Sequence, residues 1–335
     1  MKLQTRIFEA ILPTFPKKRD AVVHLASLLN LQQNAIYRKL RGDSLLTPDE
    51  ITLIVQHFKI SLDTILHEKS DVVLFSLPSL SNAPKNFSDY LYGLVKNMEH
   101  LATTNGHIHY AAAELPLFHY CFFPEIIAFK LYTWGRTTWK MPYLQDRPFD
   151  LSLLSPTDYD AIEALLTHYL NVESTELWNL NVLDNTLNQI EYCIISGQIA
   201  DPKIGLVLCD KLLLLVEHLQ KMAKWGKKFP FDARAMERRT DFNLFHNEMI
   251  FTGNSIIVTN DLGKAVYSTF DNPNYIKATQ QRAVAVMEHW FESILQTAQP
   301  ISKHSEKIRR QYFRTLVTKV EQTKSAIQQE PIKVA

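Results

Sequence analysis

Residues 25 to 42, LASLLNLQQNAIYRKLRG, constrain this chain more than any other stretch, because they read as two short helices joined by a tight turn. Leu25, Leu28, Leu29, Leu31, Ile36 and Leu40 supply apolar contacts, and Ala26 is small enough to let a second helix cross closely over the first. The turn falls at Asn30. A helix ending there needs a left-handed residue, and Asn tolerates positive φ better than any residue but Gly. In the second helix Ile36 and Leu40 point inward, while Gln33, Asn34, Tyr37, Arg38 and Arg41 cover the opposite surface at spacings of three and four. Gln and Asn can make paired hydrogen bonds to adenine and Arg to guanine, and the major groove is wide enough to admit the helix. The pattern is a helix-turn-helix, and double-stranded DNA is the expected partner. The alternative reading is a small helical bundle with a solvated polar face.

The longer run LASLLNLQQNAIYRKLRGDSLLTPDEITLIVQHFKISLDTIL resembles the lambda-repressor-like, or Xre-type, DNA-binding domain, over roughly residues 5 to 68. The resemblance rests on the Leu-Ala pair, the turn, a helix starting near Gln33, Arg-Gly, and a closing Ile-Ser-Leu-Asp helix. It implies an N-terminal domain of five short helices docked in the major groove, with Gln33, Asn34, Tyr37 and Arg38 reading bases. Two departures stand out. Asn30 replaces the commoner Gly, and Lys39 stands where many relatives carry a large apolar residue, with Leu40 beside it expected to fill that space.

The flanks support the same geometry. Thr47-Pro48-Asp49-Glu50 reads as a helix start, with Thr47 as N-cap, Pro48 at the first helical position and Glu50 closing a capping box. Ile51, Ile54, Val55 and Phe58 form the buried stripe that follows, and Ser61 caps the next short helix with Leu62, Ile65 and Leu66. Lys17, Lys18 and Arg19 lie near the start of the first paired helix and, with Arg41, are the expected phosphate contacts.

At 335 residues the chain is too long for one such domain, and 46% hydrophobic residues suffice for a second core. The net charge of +1 offers no general polyanion-binding surface. Residues 1 to 70 hold ten Lys and Arg against seven Asp and Glu, so placement rather than bulk charge must direct DNA binding. Cys121, Cys193 and Cys209 are scattered, without paired spacing for zinc or a disulfide framework, which suits a reducing cytoplasm. The N-terminus carries Arg6 and Glu9 within its apolar pattern and reads as an amphipathic helix rather than a signal peptide. Residues 115 to 134 are apolar, but Pro116, Pro124, Glu125 and Lys130 argue against a membrane span.

Three segments follow from composition: a helix-turn-helix domain over 1–70, a Pro- and Ser-rich linker over 71–86, and a larger regulatory or dimerisation domain over 87–330. Helices are expected from Ser88 to Leu101, over 117–134 with a break at Pro124, from Ser155, from 181 to Gly197, and from Asp201 to Gly226. Strands are expected over 241–252, 255–259 and 264–270, with Asn260 to Gly263 as a hairpin turn. A long helix over 275–296 and a basic helix from Ser302 complete the chain, with Ile308, Tyr312, Leu316 and Val320 in one stripe that is expected to pack on its own domain, the alternative being a second subunit. The fold class expected is mainly α with a small antiparallel sheet, an α+β arrangement.

The chemistry legible beyond residue 70 is sparse. Nine glycines form no nucleotide-binding loop, and no nucleophile elbow or H-E-x-x-H run occurs. His107, His109, His119 and Cys121 cluster without a diagnostic spacing, so no metal and no cofactor are expected. Phe118, Phe122, Tyr132 and Trp134, with Arg136 or Glu114 as a polar anchor, are the candidate lining of a small-molecule effector pocket, although buried aromatics more often simply fill a helical core. The function expected is a one-component, sequence-specific transcriptional regulator of the Xre kind, not an enzyme. It would act as a homodimer assembled through its C-terminal domain, with the Trp290/Phe291 helix or the basic helix as the pairing surface. The alternatives are an enzyme with a DNA-binding appendage and a protein-interaction scaffold whose helix-turn-helix no longer binds DNA.

Overall fold

The computed structural model describes residues 3–58, 60, 62, 65, 73–77, 83–231, 239–248 and 253–329. The chain divides into two compact units, Met1–Phe75 and Ser76–Ala335.

The first unit contains α1 (Leu3–Ile11), a 3-10 turn (Leu12–Thr14), α2 (Lys18–Leu28), α3 (Gln33–Arg41) and α4 (Pro48–Phe58). Its core is built from Ile7, Phe8, Ile11, Val22, Leu25, Ala26, Leu29, Ile36 and Ile54. The expected fifth helix falls outside the described residues, save Leu62 and Ile65. Asn30 sits at φ 53, in the left-handed region. There the Leu31 N–H donates to Ala26 O at 2.9 Å and the Asn30 N–H to Ser27 O at 3.3 Å, the paired bonds that satisfy loose carbonyls at a helix end. The same device closes α3, where Gly42 lies at φ 85 and the Asp43 N–H donates to Arg38 O at 2.9 Å.

Because a left-handed L-residue costs about 1–2 kcal/mol, and more when β-branched, Asn30→Val should destabilise the first unit by at least that much. Asn30→Gly should be neutral or mildly stabilising. Amide exchange at Leu31 in the intact chain reads the difference. Equal protection in the two variants would show that backbone conformation at residue 30 is not the constraint.

The capping box forms as expected, with the Thr47 N–H on Glu50 Oε2 at 2.6 Å and the Glu50 N–H on Thr47 Oγ1 at 3.2 Å. The expectation for residues 39 and 40 is corrected. Lys39 itself is buried at 8% exposure, whereas Leu40 is half-buried. Its aliphatic stem fills the apolar position and its ammonium escapes unpaired burial by meeting Glu50 at 2.9 Å and Leu45 O at 2.7 Å. Burial would raise the Glu50 carboxyl, but Lys39 and Thr47 together hold it below the ordinary range. Gln4 completes the arrangement from α1, donating to Lys39 O and Ser44 O and accepting from the Leu46 N–H.

The second unit runs α5 (Phe87–Thr103), β1 (His107–Ala112), α6 (Leu117–Tyr120), α7 (Pro124–Thr137), a 3-10 turn (Pro142–Leu144), α8 (Pro156–Tyr169), β2 (Glu173–Trp178), α9 (Asp184–Ile195) and α10 (Pro202–Trp225). It continues with β3 (Phe242–His246), β4 (Ser255–Asn260), β5 (Gly263–Asp271), β6 (Asn274–Ala278), α11 (Gln281–Thr297), β7 (Gln299–Pro300) and α12 (Glu306–Gln329). The sheet is larger than expected and mixed, not small and antiparallel: its order is β6-β5-β4-β1-β2-β3-β7. β1, β2 and β3 are parallel, and every other pairing is antiparallel. Parallel neighbours need long crossovers, which α6 to α8 and α9 to α10 supply.

The unit is therefore α+β. β2 escaped the sequence reading because its buried face carries Ser174 and Glu176 rather than aliphatic residues. Two helix starts also move. Residues 274–278 form a strand paired with β5, so the helix expected from Tyr275 begins at Gln281. The helix expected from Ser302 begins at Glu306. The Asn260–Gly263 hairpin forms, with the Leu262 N–H on Asn260 Oδ1 at 3.0 Å. Of the expected strand over 241–252, β3 accounts for 242–246, and residues 249–252 lie outside the described set. Within the expected linker, Ser76 bridges to Lys277 beside β6.

Tyr312, Leu316 and Val320 of the basic helix are buried in the second unit's own core, so that stripe is internal packing and is not free to pair with a second copy. Phe291 is buried as well, while its neighbour Trp290 is half-buried. No helix among the described residues is long and apolar enough to cross a membrane.

Candidate nucleic-acid-reading face and ligand cavity

The first unit presents α3 with Ile36 buried and Gln33, Asn34, Arg38 and Arg41 exposed. Three- and four-residue spacings place these polar side chains on one surface. Tyr37 is half-buried against the small core, so its ring is positioned by packing rather than free. Arg41 Nε pairs with Asp43 Oδ2 at 2.9 Å; both side chains are well exposed, and an ion pair of this kind contributes little stability. Lys17, Lys18 and Arg19 are all exposed at the start of α2, where Lys17 is the N-cap and no side chain caps the helix. Free amides and the positive helix end favour an anion there. His24 of α2 and His57 of α4 approach with Nε2···Nε2 at 2.8 Å, a contact that no sequence pattern indicated.

The second unit holds a cavity of about 140 Å³ between α5 and the sheet. Adjacent residues of β1 face opposite ways. Ile108 and Tyr110 line the cavity, while His109 meets the Phe291 ring of α11 at 5.4 Å. Burial lowers His109 to about 4. Its stacked neighbour His107 is lowered too, again by burial first.

Of the five residues expected to form an effector pocket, the structure brings Phe118 and Trp134 to this cavity. Phe122, Tyr132 and Arg136 lie elsewhere. Residues 132 and 136 share one face of α7, and residue 134 is about 200° away on a helix turning 100° per residue. Accordingly the Tyr132 hydroxyl donates to Arg147 O at 2.8 Å, Arg136 Nη1 donates to the Tyr132 hydroxyl at 3.1 Å, and Phe122 packs edge-on against His218. The sheet residues Ile256, Val258 and Tyr267, which also line the cavity, carried no sequence signal for it.

Glu114, the alternative polar anchor, does reach the wall. Its Oε1 accepts from Lys130 and from Thr186 at 3.2 Å, and its Oε2 from Asn185 at 3.0 Å and Asn272 at 2.9 Å. Lys130 is fully buried and also donates to Gln189 at 2.8 Å. Burial alone would push the Glu114 carboxyl up; Lys130 and the two Asn amides reverse this and hold it low.

A second buried network centres on Glu176, which accepts from Tyr169 at 2.6 Å, Ser174 at 2.9 Å and Trp178 Nε1 at 3.0 Å and contacts His119 Nε2 at 2.9 Å. Desolvation opposes the charge, but His119, Lys228 and the Tyr169 hydroxyl bring the carboxyl down to about 2. Lys228 lies 3.5 Å from the Tyr169 ring centroid, with burial driving its ammonium down to about 7. His119 and Cys121 are thus core residues, and among the described residues no group of three or more His, Cys, Asp or Glu is arranged to hold a metal ion.

The chain matches no protein-family model, no curated protein and no solved structure.

Proposed function

We propose that this chain is a sequence-specific DNA-binding transcriptional regulator of the Xre kind. Its first unit binds an operator, and its second senses a small molecule, mediates dimerisation, or both. The observation that carries the reading is the exposed row Gln33, Asn34 and Arg38 on a short helix that follows the left-handed turn at Asn30 and is closed by a second one at Gly42. Paired donors and acceptors on a helix of that width suit base edges in the major groove. Lys17, Lys18, Arg19 and Arg41 are the phosphate contacts in this reading, and Tyr37 reads from a fixed ring position. Cys121, Cys193 and Cys209 are free and buried, in keeping with a cytoplasmic protein that needs no disulfide.

Selection from genomic DNA with the purified full chain tests the proposal. A recovered site should contain two half-sites about 34 Å apart, or a multiple of it, as a two-fold dimer requires. On that site Arg38→Ala and Gln33→Ala should each weaken binding by about 1–3 kcal/mol and relax base preference at separate positions. Lys17→Ala should instead lower affinity for every sequence alike and make the salt dependence shallower. Wild-type affinity for the selected site in Arg38→Ala would show that the assigned reading face is wrong, and recovery of no preferred site would leave the scaffold alternative standing.

A further inference from the structure

The cavity beside α5 contains the features of a ligand site, and its walls specify the ligand's chemistry. About 140 Å³ is comparable to an engineered apolar cavity of about 150 Å³ that takes up benzene, so one aromatic ring fits. Leu94, Ile108, Phe118, Trp134, Ile256 and Val258 supply apolar wall. Among the described residues Glu114 is the one charged side chain on the lining, and its oxygens already accept four hydrogen bonds while Lys130 balances its charge. An entering anion would meet that carboxylate without a free cation, and an entering cation would find no open acceptor on it.

Of the polar side chains on the lining, the buried residues Asn254 and Tyr110 each keep a group without a partner among the described residues. Asn254 is 6% exposed, and its Oδ1 is fixed by the N–H groups of Ala113 and Glu114, which leaves its Nδ2 donors unused. Tyr110 is 7% exposed, and its hydroxyl bonds to no described group. Both side chains border the cavity, so a ligand there can supply the partner that each lacks. Burial first, with Glu114 and Glu176 adding to it, raises the Tyr110 hydroxyl far above neutral pH, so it stays protonated.

We propose that the cavity binds a small, uncharged, single-ring aromatic molecule carrying one hydrogen-bonding oxygen, the chemistry of a phenol. The ring occupies the apolar wall, and its oxygen meets the Asn254 amide and the Tyr110 hydroxyl. This deepens the reading of the second unit as a sensor, on which its regulatory meaning rests.

Titration calorimetry on the full chain, without DNA, tests the site with phenol, benzene and benzoate. Phenol should bind about tenfold tighter than benzene, the worth of roughly one net hydrogen bond, and benzoate should give no binding. Tyr110→Phe should weaken phenol about fivefold and leave benzene unchanged, a selectivity that general loosening of the fold would not produce. Leu94→Trp, which fills the space from α5, should abolish binding of both, and Val258→Phe should do the same from the sheet. Phenol binding no tighter than benzene, equal binding of benzoate, or retained phenol binding in a folded Leu94→Trp or Val258→Phe variant would each overturn the proposal. Operator affinity with and without phenol is read separately: if phenol binds and operator affinity stays constant, the sensory role fails and the site does not.

Discussion

Lys130→Met should destabilise the second unit by about 3–5 kcal/mol, because it removes the cation from a buried pair and leaves the other charge behind. Lys130 has no exposed side-chain surface and Glu114 has 9%, so water cannot replace the missing partner. The sign of the pH dependence should also change. In the parent chain the Glu114 carboxyl is held low, so the stability it contributes is present above its unfolded pKa and declines as pH falls below it. Without Lys130 burial dominates and raises the carboxyl, so stability should instead fall as pH rises from 5 to 8. Adding Glu114→Gln should recover much of the loss, since an amide carries no charge to desolvate. All five tryptophans lie beyond residue 130, so urea unfolding followed by tryptophan fluorescence reports the second unit. A loss under about 1 kcal/mol would show that the pair is not buried as described.

Local signals in the sequence were legible where chemistry and backbone agree over a few residues. Asn30, Gly42 and the Thr47/Glu50 box act within one turn of chain, and each appears where the residue types require it. The helices ending at Gly197 and Gly226 were legible for the same reason. What could not be read were features assembled from distant segments. β2 carries a buried carboxylate whose partners come from α6, α8 and its own strand, so its sequence looks polar until those groups are in place. Lys39 looks like a misplaced surface residue until Glu50 and Leu45 O meet it.

The cavity shows the same limit in a different form. Trp134 and Phe118 come from the aromatic-rich segment that suggested a pocket, but much of the wall is helix α5 with strands β4 and β5, and those two strands lie more than a hundred residues along the chain from α5 and from the aromatic segment. Aromatic content indicated that this segment is buried. Only helical phase separates Trp134 from Tyr132 and Arg136, and phase has meaning once the neighbouring layer is known.

Glu176→Gln should cost the second unit about 3–5 kcal/mol, although it changes one atom. The carboxylate serves the Tyr169 and Ser174 hydroxyls on Oε1 and the Trp178 and His119 ring nitrogens on Oε2. An amide keeps one acceptor and turns the other into a donor, so one side of this cluster becomes a buried donor facing donors. It also removes the counter-charge that favours the ammonium of Lys228, which burial already drives down to about 7. The pH dependence separates this effect from simple misfit. With a folded value of about 2 against an ordinary 4.5, the carboxylate contributes stability that is full above the unfolded pKa and lost as pH falls toward the folded one. That part amounts to roughly 3 kcal/mol at about 1.4 kcal/mol per pKa unit. The gap between parent and variant should therefore narrow as urea unfolding is repeated from pH 5 down to pH 2. A gap that stays constant over that range would mean that Glu176 is not held as a carboxylate by its neighbours, and that shape alone accounts for the loss.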